Sequence, residues 1–133
     1  MHPVYVHIKK ELSPFYAEEE ASAMAKWISS DILHLSTLEL YTGKDMNFST
    51  KEWEELEDIL RRLKQREPLQ YILQEASFCG MSFHVEQGVL IPRPETEELV
   101  EWIVSDFREA GQVRILDIGT GSGCIPVSLA QLL

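Results

Sequence analysis

The sequence has little sulfur of the reactive kind: two cysteines, Cys79 and Cys124, in 133 residues. Neither sits at the spacing of a metal-ligand set, and two thiols make no disulfide framework. A metal-free chain in a reducing, cytoplasmic setting is the simplest expectation. Long apolar runs are missing too. None approaches the roughly 20 residues a membrane-spanning helix needs, and "MHPVYVHIKKELSPF" lacks the basic-then-apolar order of a secretory signal. Positive charge is scarce: 12 Lys and Arg stand against 22 Asp and Glu, a formal net charge of −10. That balance argues against a broad nucleic-acid-binding surface. The acids gather at residues 18–20, 52–58 and 95–101, inside helix-like patterns. Solvated helix faces account for them, with a basic protein partner as the other reading.

What is present is ordinary for a globular chain of about one domain: 44% hydrophobic and 26% charged residues, with no internal repeat or low-complexity linker. Residues 1–74 read as a small helical bundle. In "YAEEEASAMAKWISSDIL", Ala21, Met24, Trp27, Ile28 and Ile32 fall near helical spacing behind acids that suit a helix start. Ser13–Pro14 has the form of an N-cap and first helical residue for an earlier start. Ser36 with Glu39, and Ser49 with Glu52, spell capping boxes; Leu35 with Leu40, and Phe48 with Trp53, have hydrophobic-staple spacing. Gly43 supplies a stop. Trp53, Leu56, Ile59, Leu60 and Leu63 then give one apolar face, and Pro68 ends it, with "LQYIL" restarting a short helix.

Residues 75–92 change period. Phe83, Val85, Val89 and Ile91 are expected in the strands of an antiparallel hairpin, with Gly80 and Gly88 as punctuation. His84 reads as a surface or satisfied histidine. From residue 93 onward, "PRPETEELVEWIVSDFREAGQ" is a helix with a stripe of Leu99, Val100, Ile103 and Phe107. "VRILDI" is a buried parallel strand, and "GTGSG" is a turn into the helix of "CIPVSLAQLL". Strand, glycine turn and helix make the nucleotide-binding βα unit. The spacing here is G-x-G-x-G, not the dinucleotide G-x-G-x-x-G, and Asp117 lies two residues upstream. A carboxylate there repels a diphosphate and suits an ammonium group. S-adenosyl-L-methionine carries an ammonium and a sulfonium and no phosphate, so it is favoured over NAD.

"REPLQYILQEASFCGMSF", "VLIPRPETEELVE" and "ILDIGTGSGCIPVSLA" together resemble the release factor glutamine methyltransferase family. The resemblance covers essentially the whole chain and implies the following. The fold is an α-helical amino-terminal bundle, a short β-hairpin, and the first βα unit of a Rossmann-like class I methyltransferase α/β domain. The reaction is S-adenosyl-L-methionine-dependent methylation of the glutamine side-chain amide in the Gly-Gly-Gln motif of peptide chain release factors. Asp117, Gly119, Thr120, Gly121, Ser122 and Gly123 surround the cofactor, with Thr96 and Glu97 contributed by the Ile91–Glu97 segment, while Glu95 and Glu97 read equally well as ordinary acids of a first helical turn. Arg93 steadies that segment by an ion pair with a neighbouring acid. The helical domain, residues 1–74, helps recognise the release factor. A ribosomal protein as the methylated substrate, and a purely non-catalytic release-factor-binding module, are the alternatives.

The chain departs from the family in two ways. The family often has glycine near residues 66–67 and 74–75, and this sequence has none there. The family's Asn-Pro-Pro-Tyr motif is also absent, so no catalytic residue is assigned to this chain. It reads as the amino-terminal part of a longer enzyme, inactive by itself, whose exposed end from "VRILDI" through "SLAQLL" is expected to be disordered, paired between chains, or packed on a symmetry mate.

Overall fold

Local signals set most of the helix boundaries. The computed structural model describes residues 1–43 and 47–133. Among these it holds α1 (Pro3–Leu12), α2 (Glu18–Asp31), α3 (Thr37–Thr42), α4 (Thr50–Lys64), α5 (Leu69–Leu73), β1 (Glu75–Phe78), β2 (Met81–His84), α6 (Pro94–Phe107) and α7 (Cys124–Leu132). They gather into two compact units, Met1–Leu69 and Gln70–Leu133.

In the first unit both capping boxes form. The Ser36 and Ser49 hydroxyls accept from the backbone N–H groups of Glu39 and Glu52, and those glutamates accept from the serine N–H groups in return. The Phe48 and Trp53 rings meet edge-on at 5.9 Å, the contact a staple requires. Gly43 ends α3 in the left-handed region, φ 67°. On α4, Leu56, Ile59, Leu60 and Leu63 are buried, each contributing about 2 kcal/mol relative to exposure. They share the core with Val4, Ile8 and Leu12 of α1 and Ala21, Met24, Ala25 and Ile28 of α2.

Helix α1 corrects the reading of the amino terminus. Ser13 closes this helix and caps no later one: its N–H and its hydroxyl both donate to the Lys9 carbonyl, at 3.0 and 2.7 Å. Pro3 presets the first helical φ, and the His2 imidazole is the N-cap, Nδ1 accepting from the Val4 N–H at 3.2 Å. His2 is itself buried, and its N–H donates to the Leu40 carbonyl at 2.7 Å. At the other end of the unit, α4 finishes in a Schellman motif. Arg66 N–H donates to Leu63 O at 2.9 Å and Glu67 N–H to Arg62 O at 3.2 Å, with Arg66 at φ 67° where glycine is usual. The Arg62 guanidinium grips the Glu67 carboxylate at two points, 2.7 and 2.6 Å, across that turn.

In the second unit, α5 restarts after Pro68 as expected and stops at Gln74, φ 57°. The hairpin is shorter than the sequence suggests. Its register pairs Phe78 with Met81, leaving a two-residue loop of Cys79 and Gly80, both at positive φ as a type I′ turn demands. Phe83 lies in β2, but Val85, Val89 and Ile91 do not. The partner strand begins at Glu75, so the ladder ends at His84, and Val89 instead closes a turn onto Glu86 O at 3.0 Å. Helix α6 buries Val100 and Val104, while Leu99 and Phe107 face outward and Ile103 is half-buried. Arg93 is exposed and precedes α6 without an ion pair among the described residues.

The largest correction concerns "VRILDI". Residues 113–118 form no strand: they run without a ladder partner, and Leu116 and Ile118 are 85% and 87% exposed. The segment is described throughout, so the expectation of disorder is not met. A parallel strand exists only through the neighbours that take up its backbone groups, and among the described residues none pairs with this one. The glycine turn and α7 behind it are formed, with Pro126 tolerated in the first turn of the helix.

Candidate cofactor site

The glycine turn is the feature whose sequence and backbone demand each other most strongly. Gly119, Gly121 and Gly123 have φ of 74°, 61° and 81°, a region that side-chain-bearing residues occupy at a cost of roughly 1–2 kcal/mol. Nothing lies within 4 Å of where a Cβ would stand on Gly119 or Gly121. Space there is open, and it is the backbone angle that selects glycine. Gly123 is the N-cap of α7 and its N–H donates to Thr120 O at 3.1 Å, folding the loop back on itself. The Ser122 hydroxyl accepts weakly from the Cys124 N–H, 3.4 Å away.

Asp117 precedes the loop, and its Oδ2 is buried with no hydrogen-bond donor among the described residues. A sealed carboxylate oxygen without a donor is costly. Among the described residues it is the one buried side-chain acceptor at this turn left without a donor. The residues therefore fit a ligand with an ammonium group, which supplies both charge and N–H donors, better than one with a diphosphate.

Thr96 and Glu97 sit in the first turn of α6, both half-buried. The structure gives Glu97 a partner away from the loop: its Oε1 accepts from the backbone N–H of Cys79 at 3.0 Å. The glycine turn and the Thr96–Glu97 segment are linked through a shared core. Val100 and Val104 of α6, Cys124 and Leu129 of α7, and Phe78 and Phe83 of the hairpin pack as one cluster, the two phenylalanine rings edge-on at 6.2 Å. The Glu97–Cys79 bond joins residues 18 apart in sequence, a link no local pattern announces. A cleft of about 440 Å³ opens beside it, lined by Cys79, Glu97, Glu101, Arg108 and Leu132.

The surroundings of Cys79 favour the thiol over the thiolate. Burial pushes its thiol pKa up, the Ser128 hydroxyl opposes that rise, and the Glu97 and Glu101 charges add to it. His84 is exposed, with Nε2 3.6 Å from the Glu86 carboxylate, as a surface histidine should be. Among the described residues no three His, Cys, Asp or Glu side chains group as a metal site, and no helix is long and apolar enough to cross a membrane.

Comparison with known proteins agrees with the helical unit first. The PrmC N-terminal domain family matches residues 5–73. Over all 133 residues the chain is 47% identical to a release factor glutamine methyltransferase of Bacteroides thetaiotaomicron, covering 47% of that protein. Over 125 residues, 92% of this chain and 44% of the relative, it is 40% identical to a release factor glutamine methyltransferase of Flavobacterium psychrophilum. A protein of the same name from Chlorobaculum tepidum is 38% identical over 136 aligned positions, taking in 96% of this chain and 46% of the relative. The chain thus spans about half the length of the curated relatives it matches. With more than half of its residues under one family pattern, and with the helices, caps and hairpin that pattern leads into, the chain belongs to the PrmC N-terminal domain family.

Proposed function

We propose that this chain is the release-factor-recognising and cofactor-entry half of a protein glutamine methyltransferase that uses S-adenosyl-L-methionine and acts on peptide chain release factors. The single observation that carries the cofactor assignment is the orphaned Asp117 Oδ2 in front of a turn whose three glycines all need positive φ. In this reading Asp117 receives the ammonium of the methionine moiety, and Gly119, Thr120, Gly121, Ser122 and Gly123 surround that end of the ligand, with Thr96 a polar contributor from the α6 segment. When bound, the cofactor supplies an electrophilic methyl group. The exposed 113–118 segment becomes a strand of a Rossmann-like sheet when neighbours cover it.

A primary amide nitrogen is a poor nucleophile because its lone pair is delocalised into the carbonyl. Catalysis on it is a matter of orienting the NH₂ group with hydrogen-bond acceptors. No residue of this chain is assigned that task. The chain's own contribution is to hold the cofactor and to dock the substrate protein through residues 1–74, whose acidic surface favours a basic partner. The release-factor assignment draws on the names of the relatives above.

The test uses the full-length protein. Calorimetry with S-adenosyl-L-methionine and with NAD separates the two ligand classes, and uptake of NAD without heat from the sulfonium compound refutes the assignment. Mass spectrometry after incubation with a release factor and with ribosomal proteins reads the substrate. A methyl group on the Gly-Gly-Gln glutamine is expected, and one on a ribosomal protein alone overturns the substrate choice.

A further inference from the structure

The Cys79 amide lies in a turn whose ladder cannot satisfy it. Pairing stops at Phe78 and Met81, so the N–H groups of the two loop residues have no partner in the sheet. Glu97 supplies one, from the fourth position of α6, with a partly buried hydrogen bond of 3.0 Å. The Cys79 side chain packs against the cluster that contains Cys124 and Leu129 of α7, and Cys124 immediately follows Gly123 of the glycine turn. A continuous set of contacts therefore runs from the Ile91–Glu97 segment through the hairpin turn to the helix that carries the loop.

The cleft beside Glu97 shows on which side of that path its carboxylate stands. Leu132 lines it, and Leu132 is the last residue of α7. At 1.5 Å per residue, that end is on the order of 12 Å along the helix from the glycine turn. The Glu97 carboxylate is bonded to Cys79 and lines this cleft, whose lining includes none of the glycines of the turn.

We infer that Glu97 is a positioning residue: by holding the hairpin turn against the first turn of α6, it fixes how the Ile91–Thr96 segment stands relative to the glycine turn, and it does so as a hydrogen-bond acceptor and not as a charge facing the cofactor. This rests on the cofactor reading above. The role needs an oxygen at the reach of a side chain with two methylenes before its terminal carbon. Glutamine provides it, whereas alanine and the shorter aspartate do not.

The experiment compares Glu97→Gln, Glu97→Asp and Glu97→Ala in the full-length protein by two readouts. Hydrogen exchange of the Cys79 amide reports the bond itself. S-adenosyl-L-methionine affinity by calorimetry reports its consequence. Glu97→Gln is expected to keep the amide protected and the affinity within about twofold. Glu97→Asp and Glu97→Ala are expected to speed exchange and weaken affinity, each by about tenfold, as loss of one charge-assisted bond implies. Equal affinity loss in Glu97→Gln and Glu97→Ala, with the amide still protected in Glu97→Gln, overturns the inference in favour of a direct charge. Unchanged affinity in Glu97→Ala also overturns it. Absence of cofactor binding by the unaltered protein removes the cofactor reading and the positioning role with it, a result distinguishable because Cys79 exchange still responds to the variants.

Discussion

Replacing Gln74 by glycine should stabilise the protein, and replacing it by valine should do the reverse. Gln74 stands at φ 57° between α5 and β1, exposed, with no side-chain hydrogen bond among the described residues, while its carbonyl accepts from Val85 N–H at 3.4 Å. A substitution there therefore reads the backbone and little else. The left-handed region costs a side-chain-bearing residue roughly 1–2 kcal/mol, and glycine gives back about 0.5–1 kcal/mol through its freer unfolded chain. The net gain for Gln74→Gly is about 0.5 kcal/mol. A β-branched side chain is worse still at positive φ, and Gln74→Val should lose at least about 1 kcal/mol. With a urea m-value of about 1.5 kcal/mol/M, the midpoints move up by about 0.3 M and down by about 0.7 M at unchanged m. Arg66→Gly makes an internal comparison. It relieves the same backbone cost but forfeits the Arg66 guanidinium lying 4.9 Å from the Tyr16 ring centroid, an interaction of about 0.5–1 kcal/mol, so it should be close to neutral. At an ordinary extended position valine would outrank glycine. If valine matches or exceeds glycine at residue 74, the left-handed assignment is wrong and the reasoning falls.

Three further outcomes follow from the same geometry. Ser49→Ala removes the hydroxyl that accepts from Glu52 N–H at 3.1 Å and should cost about 1 kcal/mol in chemical denaturation. Phe78→Ala empties a fully buried position of the hairpin core and should cost about 3–5 kcal/mol, enough to abolish the near-ultraviolet signature of the Phe78–Phe83 region. The Glu67 carboxylate is held below the usual carboxylate range chiefly by its hydrogen bonds to Arg62. A depressed folded-state pKa gives stability that is full above the unfolded value of about 4.3 and is lost as pH falls through the lowered one. Glu67→Gln should thus flatten the acid limb of a stability–pH curve, with the effect shrinking in high salt because the pair is about one-third exposed.

The helices with side-chain caps were legible because a capping box is a statement about four consecutive residues: Ser36 to Glu39 and Ser49 to Glu52 contain their own answer. Helix α1 was not, since its cap is an imidazole and its interior carries Val4, Val6 and Ile8, which dilute the propensity signal. Pro3 and the spacing of Val4, Ile8 and Leu12 were the clues available. The Schellman turn at Arg66 and the stop at Gln74 fall where the family resemblance anticipates glycine, so the missing glycines marked left-handed backbone without removing it. Strand length failed for a different reason. Val85, Val89 and Ile91 have β-forming side chains, but a ladder is as long as its shorter partner. The same dependence on neighbours left "VRILDI" unpaired despite its composition. At the site, the glycines were readable one by one because each needs an angle that other residues avoid. The grip of Glu97 on the Cys79 amide was not, being a contact between distant stretches that only folding brings together.

The buried His2 has a practical corollary for anyone working with this protein. Its imidazole starts α1, its amide is tied to Leu40, and a Cβ on Gly43 would press to 3.3 Å from the Met1 carbonyl. His2 and the Met1 backbone are thus structural parts of the helical unit. Affinity handles fused at that end need a spacer that departs from the exposed Met1 side chain's surroundings without pulling on His2, and replacing His2 during cloning to suit a restriction site would remove a helix cap along with a core residue.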